Sequence, residues 1–270
     1  MAKSMVPPEV AENMKGIKHK IVILSGKGGV GKTTVATNLA TSFAKRGKDS
    51  GILDVDIYGP NVPKLLGLEG QRPAVDDDFI EPVLGPLDMK VMSMGFLLQK
   101  DDDAVAWRGP LVAKAISQFL ANVRWGDLDI LVVDLPPGTG DEILSILQSI
   151  PDIDGVVIVS TPQEVAVLDA RRAIQLVEKM GVPVLGIVEN MSEFICPKCG
   201  ESYKIFGEGA AKKASEEYGI EHLGTLPLDP RVITLSDKGT PFVIEEPDSK
   251  VANAFSELVD KLANKVGLAE

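Results

Sequence analysis

The stretch that decides the fold is Ile21-Val22-Ile23-Leu24-Ser25-Gly26-Lys27-Gly28-Gly29-Val30-Gly31-Lys32-Thr33-Thr34. From Gly26 to Thr33 it matches the pattern G-x-x-x-x-G-K-[ST], in which backbone N–H groups, a helix N-terminus and a lysine surround a phosphate. An apolar run typical of a buried strand precedes the pattern. Apolar residues spaced as one buried helical face follow it, namely Ala36, Leu39, Ala40 and Phe43. We therefore predict a phosphate loop, with Lys32 near the β- and γ-phosphates and Thr33 near Mg²⁺.

The rest of the chain repeats this alternation of strand and helix. Short apolar runs at 51–55, 89–94, 129–135, 155–160, 183–190 and 221–226 are separated by helical patterns. The predicted fold class is α/β, a doubly wound, mostly parallel sheet with helices on both faces. Residues 1–19 are expected to be a poorly ordered N-terminal extension. Residues 20–270 are expected to form a single domain, with an irregular cysteine-bearing loop at 191–206.

Charge and hydropathy narrow the possible partners. The 270 residues include 28 Lys+Arg and 39 Asp+Glu, for a net charge of −11. This acidic balance argues against nucleic acid, whose phosphates favour clustered basic residues. No apolar stretch reaches the roughly 18–20 residues of a membrane span, and the first twenty residues lack the apolar core of a secretory signal. We expect a cytoplasmic protein that binds neither nucleic acid nor membrane.

Acidic residues follow two of the predicted strands. Asp134 ends an apolar run, which is the position that supports Mg²⁺ in phosphate-loop NTPases. Asp54 and Asp56 close another strand, where a carboxylate either orients an attacking water or caps a turn. Lys27 is a second lysine inside the loop that the pattern does not require. It is either a solvated loop charge or a cation that stabilises the transition state.

The two cysteines of the chain, Cys196 and Cys199, stand three residues apart and form a candidate ligand pair. Zinc and iron–sulfur clusters each take four protein ligands, and one chain offers two thiolates. Two copies related by a two-fold axis would supply four. From spacing alone, zinc, a cluster and unliganded thiols all remain open.

Several motifs resemble a known family. With Lys27 inside it, the phosphate loop resembles the deviant Walker A motif of MinD/ParA-type ATPases. Within that group, the chain resembles the Mrp/ApbC family of iron–sulfur cluster carriers from about residue 18 to the C-terminus. The segments that carry this resemblance are 54–63, 134–141, 161–164, 188–192 and the Cys-Pro-Lys-Cys sequence at 196–199.

The resemblance implies a homodimeric ATPase that holds a [4Fe–4S] cluster at the dimer interface and transfers it to apo-proteins, with slow ATP hydrolysis. It implies that Lys27 reaches the partner's nucleotide, that Lys32 and Asp56 act in catalysis, and that Asp134 and Thr33 support Mg²⁺. It gives Cys196 and Cys199 as cluster ligands. The implied ATP-binding residues are Gly26, Lys27, Gly28, Gly29, Val30, Gly31, Lys32, Thr33 and Thr34, with Asn190 reading the adenine.

The main alternative is a MinD/ParA-like spatial organiser with a structural zinc bridged by the cysteine pairs. A membrane organiser needs a basic amphipathic terminus, whereas the predicted last helix, 248–265, with the residues after it has a slight acidic excess. A reductase similar to the nitrogenase iron protein would bridge its cluster through cysteines far apart in the chain. Some Mrp relatives carry an extra N-terminal domain or an N-terminal cysteine cluster, and residues 1–20 match neither.

Overall fold

The computed structural model describes residues 6–76, 78–98, 109–196 and 198–268, without the side chains of residues 109–112. The strands are β1 (Ile17–Leu24), β2 (Ser50–Asp54), β3 (Ala74–Asp76), β4 (Phe79–Glu81), β5 (Val83–Leu84), β6 (Lys90–Ser93), β7 (Leu128–Asp134), β8 (Gly155–Ser160), β9 (Val184–Ile195), β10 (Ser202–Tyr203) and β11 (His222–Leu228). The helices are α1 (Pro8–Asn13), α2 (Lys32–Lys45), α3 (Val62–Leu65), α4 (Gly109–Asn122), α5 (Asp141–Ser149), α6 (Glu164–Lys179), α7 (Ala210–Tyr218), α8 (Pro230–Asp237), α9 (Phe242–Glu245) and α10 (Lys250–Val266).

One large sheet organises these elements. Its strand order is β10-β9-β8-β1-β7-β2-β6-β5, with β11 also paired to β9. The strands pair in parallel except at β5 and β10, which confirms the predicted mostly parallel sheet. From β1 the chain crosses through α2 to β2, and from β8 it crosses the opposite way through α6 to β9. Right-handed crossovers in opposite directions place these helices on opposite faces, and ligands bind beyond the strand ends where the direction reverses.

The core lies on both sides of β1. Residues 21–24 are fully buried, as expected for a central parallel strand. On one face, α2 packs on β7 and β2 and in turn contacts α10. The apolar stripe of α10 is buried there (Val251, Phe255, Leu258, Val259, Leu262). In the described part of the chain, no helix is long and apolar enough to cross a membrane.

The N-terminal segment differs from the prediction of a poorly ordered extension up to residue 19. Residues 8–13 form α1, which packs against α4, and β1 begins at Ile17. Val10 and Met14 are buried, and the Asn13 amide donates to the carbonyls of Leu120 and Val123, both at 2.8 Å. Because these residues bury an apolar face, the described domain starts before residue 20.

The cysteine segment is also more regular than predicted. In place of an irregular loop at 191–206, β9 continues to Ile195 and returns as the antiparallel strand β10. The turn is closed by the Cys196 amide donating to the Glu201 carbonyl at 2.9 Å, and by the Gly200 amide donating to the Cys196 carbonyl at 2.8 Å. We call residues 192–203 the cysteine hairpin. Pairing to β10 satisfies backbone groups that an irregular loop would leave to water.

Candidate nucleotide site and cysteine hairpin

The phosphate loop leaves β1 and turns directly into α2. Gly29 (φ 79°) and Gly31 (φ 80°) adopt left-handed backbone conformations, which glycine enters without the steric cost of a Cβ. A Cβ on Gly26 would lie 2.2 Å from the Asp169 carbonyl, so the loop packs closely on α6. The N-terminus of α2 begins at Lys32 and faces the loop. These features form an anion cradle of backbone N–H groups, as the sequence predicts.

Lys32 lies at the base of this cradle. Its Nζ is 2.7 Å from Oδ1 of Asp134, 3.9 Å from Oδ2 of Asp56 and 3.3 Å from Oγ1 of Thr33. Only 6% of the residue is exposed. The structure therefore brings together four of the residues that the sequence singled out, from α2, β7 and the loop after β2.

Asp134 offers an oxygen to a cation. The residue is fully buried, and its Oδ2 has no hydrogen-bond partner among the described residues. Burial raises the pKa of this carboxyl, and the Lys32 ammonium partly offsets the rise. A buried carboxylate oxygen beside the Thr33 hydroxyl is the oxygen donor set that Mg²⁺ prefers, so the residues present fit this ion.

The structure separates the roles of Asp54 and Asp56. Asp54 is buried beneath the loop and accepts hydrogen bonds from the Ser93 hydroxyl (2.8 Å) and from the backbone N–H groups of Asp56 (3.1 Å) and Val62 (3.3 Å). Burial and the neighbouring Asp134 charge raise the pKa of Asp54 to about 8. Asp56 instead faces the cavity beside the phosphate loop. The residue pattern alone leaves both acids as candidates, and the family resemblance implies Asp56. Of the two, Asp56 lines the cavity.

Asp56 is held in place by its own loop. Its Oδ1 accepts the backbone N–H groups of Tyr58 (3.1 Å) and Gly59 (3.2 Å). The cavity that it lines has a volume of about 520 Å³ and also borders Gly28, Lys32 and Thr33. A carboxylate fixed in this way beside a phosphate cradle can orient a water molecule for attack.

A smaller apolar pocket of about 250 Å³ continues from the phosphate cradle, sharing Gly31 and Thr34 with it. Asn190 lies at the junction, where its Nδ2 donates to the Val30 carbonyl at 2.9 Å. Most of the residues that line this pocket are not marked by any sequence motif. They include Leu226, Pro227, Leu228, Asp229, Val232 and Phe255. The closely spaced Pro227 and Pro230 indicate a turn, but they carry no signal that the turn packs beside the phosphate loop.

Lys27 lies at the front of the loop and is partly exposed. Its carbonyl accepts the Ser25 hydroxyl at 2.9 Å, which fixes the backbone at this point. Within the described residues, the Lys27 ammonium makes no ion pair. The side chain is therefore not part of the Lys32 carboxylate cluster of its own chain.

The cysteine hairpin and the nucleotide cavity lie at the same end of the sheet. Because β1 and β9 both run parallel to β8, the carboxyl ends of the two strands lie on the same side, and each site follows one of them. Cys196 is partly exposed and Cys199 exposed. Backbone N–H groups of Cys199 and Lys198 lower the pKa of Cys196, which favours the thiolate that binds metals. In the ranges that the structure describes, no three His, Cys, Asp or Glu side chains form a metal-binding group.

A glycine-rich loop between β1 and α2, a buried lysine and an aspartate at the end of β7 define a P-loop NTPase. The chain belongs to the family described as NUBPL iron-transfer P-loop NTPase, within the ParA group, whose model matches residues 16–263. Similar curated proteins are iron–sulfur cluster carrier proteins. That of Methanocaldococcus jannaschii is 51% identical over 258 residues, covering 96% of this chain and 88% of the relative. That of Aquifex aeolicus is 45% identical over 261 residues, covering 96% and 71%.

Solved structures agree with this assignment. A nucleotide-binding protein from Archaeoglobus fulgidus in complex with ADP has a TM-score of 0.78 and 44% identity, covering 92% of this chain and 96% of its own. The cell-division ATPase MinD of Pyrococcus furiosus has a TM-score of 0.66 at 23% identity, covering 92% and 99%, and shares the fold. These matches confirm the predicted resemblance to cluster-carrier ATPases of the MinD/ParA-like group.

Proposed function

We propose that this protein is a dimeric ATPase that carries a [4Fe–4S] cluster between the cysteine pairs of two copies and transfers it to apo-proteins. The observation that carries the proposal is the solvent-accessible Cys196–Cys199 pair, on a hairpin that begins beside the nucleotide pocket in a member of an iron-transfer family. The names of the curated relatives support cluster carriage as the activity.

The ligand count requires a second copy of the chain. A cubane cluster takes four protein ligands, while the whole sequence contains two cysteines. His19 is partly buried near the start of β1, 3.1 Å from Asp154, and His222 lies at the start of β11. Two hairpins related by a two-fold axis bring four thiolates together without any further ligand. Two ligands per chain also leave the cluster easier to release than a closed cage.

The phosphate loop and the residues around it support ATP hydrolysis. The phosphates bind to the loop N–H groups and to Lys32, and the adenine enters the apolar pocket beside Asn190. Asp56 orients a water molecule toward the γ-phosphorus and accepts its proton as the P–O bond to the β-phosphate breaks. Thr33 and Asp134 would hold Mg²⁺, which would neutralise charge on the phosphate oxygens. In the dimer, Lys27 of the second copy contacts the same phosphates and stabilises the charge of the transition state.

Anaerobic reconstitution with iron and sulfide tests the proposal. The wild-type chain is expected to bind about four irons per dimer, as one bridged cubane requires. Cys196→Ala is expected to bind none, while Lys204→Ala changes an exposed residue just after the hairpin and serves as the matched control. One zinc per dimer and no iron would favour the structural-zinc alternative and contradict cluster carriage.

The Lys32→Ala variant tests the ATPase site. It is expected to lose hydrolysis by at least about a thousandfold, because the cradle loses its buried cation. Phosphate release from ATP measures this change. Lys45→Ala, at the far end of α2, is the control and is expected to retain the wild-type rate. Undiminished hydrolysis in Lys32→Ala would rule out this site.

A further inference from the structure

The strand that joins the nucleotide pocket to the cysteines contains one non-glycine residue with a left-handed backbone. Met191 has φ 56°, a region that side chains with a Cβ normally avoid. The residue before it, Asn190, holds the phosphate loop through the Val30 carbonyl. Cys196 follows five residues later. The strained residue therefore lies between the two sites.

The pairing of β9 with β11 is irregular at the same point. Leu226 pairs with Asn190 and Leu228 with Phe194, so β9 has two more residues than β11 over this interval. Such a bulge bends a strand and changes the direction of the residues beyond it. Beyond the bulge, β9 pairs with β10 as the cysteine hairpin. The backbone at Met191 therefore sets the direction in which the hairpin leaves the sheet.

The Met191 side chain reaches the nucleotide pocket. It lines the 250 Å³ apolar pocket, here called the base pocket, together with Asn190 and Val232. Its terminal methyl also lies 3.5 Å from where a Cβ on Gly31 would stand. One residue thus contacts the wall of the base pocket through its side chain and directs the cysteine hairpin through its backbone.

We propose that Met191 is a positioning residue whose left-handed backbone transmits occupancy of the base pocket to the cysteine hairpin. This inference rests on the proposed function, since it names the regulation of the same site. A strained backbone persists only where its surroundings hold it. A base that packs against Met191 changes those surroundings and shifts the balance between left-handed and ordinary conformations. Each conformation aims Cys196 differently. Glycine at this position would remove the energy difference and break the link.

The test measures alkylation of Cys196 and Cys199 by iodoacetamide in the reduced full-length protein, with and without saturating MgADP. ADP fills the base pocket but lacks the γ-phosphate. The wild-type rate is expected to change by at least about fivefold on nucleotide binding. Met191→Gly is expected to lose most of this change. Met191→Leu keeps the Cβ, its strain and an apolar side chain at the pocket, and is expected to retain the change. Asp152→Gly removes the strain of another left-handed residue (φ 50°), in a loop before β8, and is the matched control.

The outcomes separate the inference from the proposed function. A wild-type response in Met191→Gly overturns the inference, and so does an equal loss in Met191→Leu, because that variant keeps both the strained backbone and the apolar contact. Absence of any response in the wild-type chain also overturns it. ADP affinity and iron loading are measured in the same preparations. Failure of iron loading contradicts the proposed function, whereas the thiol response decides the role of Met191 independently.

Discussion

Single residues shape the phosphate loop in two ways: Lys32 contributes a charge, and Gly26 leaves free the space that a side chain would occupy. Gly26 has no left-handed backbone, yet a Cβ there would lie 2.2 Å from the Asp169 carbonyl and 2.7 Å from the Ala170 nitrogen. The motif shows that glycine is required at this position but not why. The reason is the close approach of α6, which only the packed structure reveals.

Gly26→Ala is therefore expected to destabilise the protein by about 1–3 kcal/mol, because backbone atoms must shift to admit the methyl group. Chemical denaturation of the wild type and the variant measures this difference. Gly28→Ala is the matched control within the same loop, since its Cβ would meet only the Pro137 ring at 4.0 Å. Equal unfolding midpoints for the two variants would contradict the packing argument.

Among the secondary-structure elements, β9 and β11 connect the nucleotide pocket with the cysteine hairpin. The apolar run at 183–190 predicts a strand there. The observed β9 runs to Ile195, because β11 and β10 pair with its carboxyl-terminal half. His222 opens β11, where burial lowers its pKa and the charges of Lys261 and Lys212 lower it further. Its Nε2 is buried without a partner within the described residues.

This histidine makes stability depend on pH. Because the pKa of His222 is lower in the folded state than the ordinary 6.5, the unfolded chain binds the proton more readily. The free energy of unfolding is thus expected to be largest above pH 6.5. It is expected to decrease as the pH falls from 6.5 toward the lower pKa that His222 has in the folded protein. The slope is at most about 1.4 kcal/mol per pH unit. Urea denaturation at a series of pH values measures it.

His222→Gln is expected to flatten this dependence, since the side chain no longer titrates. His19→Gln changes the other histidine of the chain and keeps His222, so it should retain the slope that His222 causes. A slope in His222→Gln that equals or exceeds that of the wild type would contradict the assignment.

In the whole molecule, the proposed dimer has two sites that need residues from both chains, and both sites lie beyond the carboxyl ends of the strands. The cysteine hairpin supplies two thiolates to a site that needs four, and the Lys27 ammonium lies outside the Lys32 cluster of its own chain. The proposed isologous dimer would supply both, because a two-fold axis would bring this end of one sheet to the same end of the other.

Mixing two inactive variants tests this arrangement. Lys27→Ala and Asp56→Asn are each expected to lack hydrolysis as homodimers. In a mixed dimer, the Lys27→Ala chain keeps its own Asp56 and receives Lys27 from the other chain, so one site works. An equal mixture is expected to recover about a quarter of wild-type activity, since half of the dimers are mixed and each has one active site. No recovery in mixed dimers verified by mass would show that Lys27 acts within its own chain.

The class of the fold and the phosphate loop could be predicted from the sequence, because hydrophobic periodicity and the glycine pattern act over short distances along the chain. The shortage of thiolates follows from counting the cysteines. The packed structure was needed to show that Asp54 is buried away from the cavity that Asp56 lines, that residues 226–229, 232 and 233 border the base pocket, and that the backbone of Met191 is left-handed. Each of these depends on contacts between segments far apart in sequence, and no local pattern encodes which segments meet.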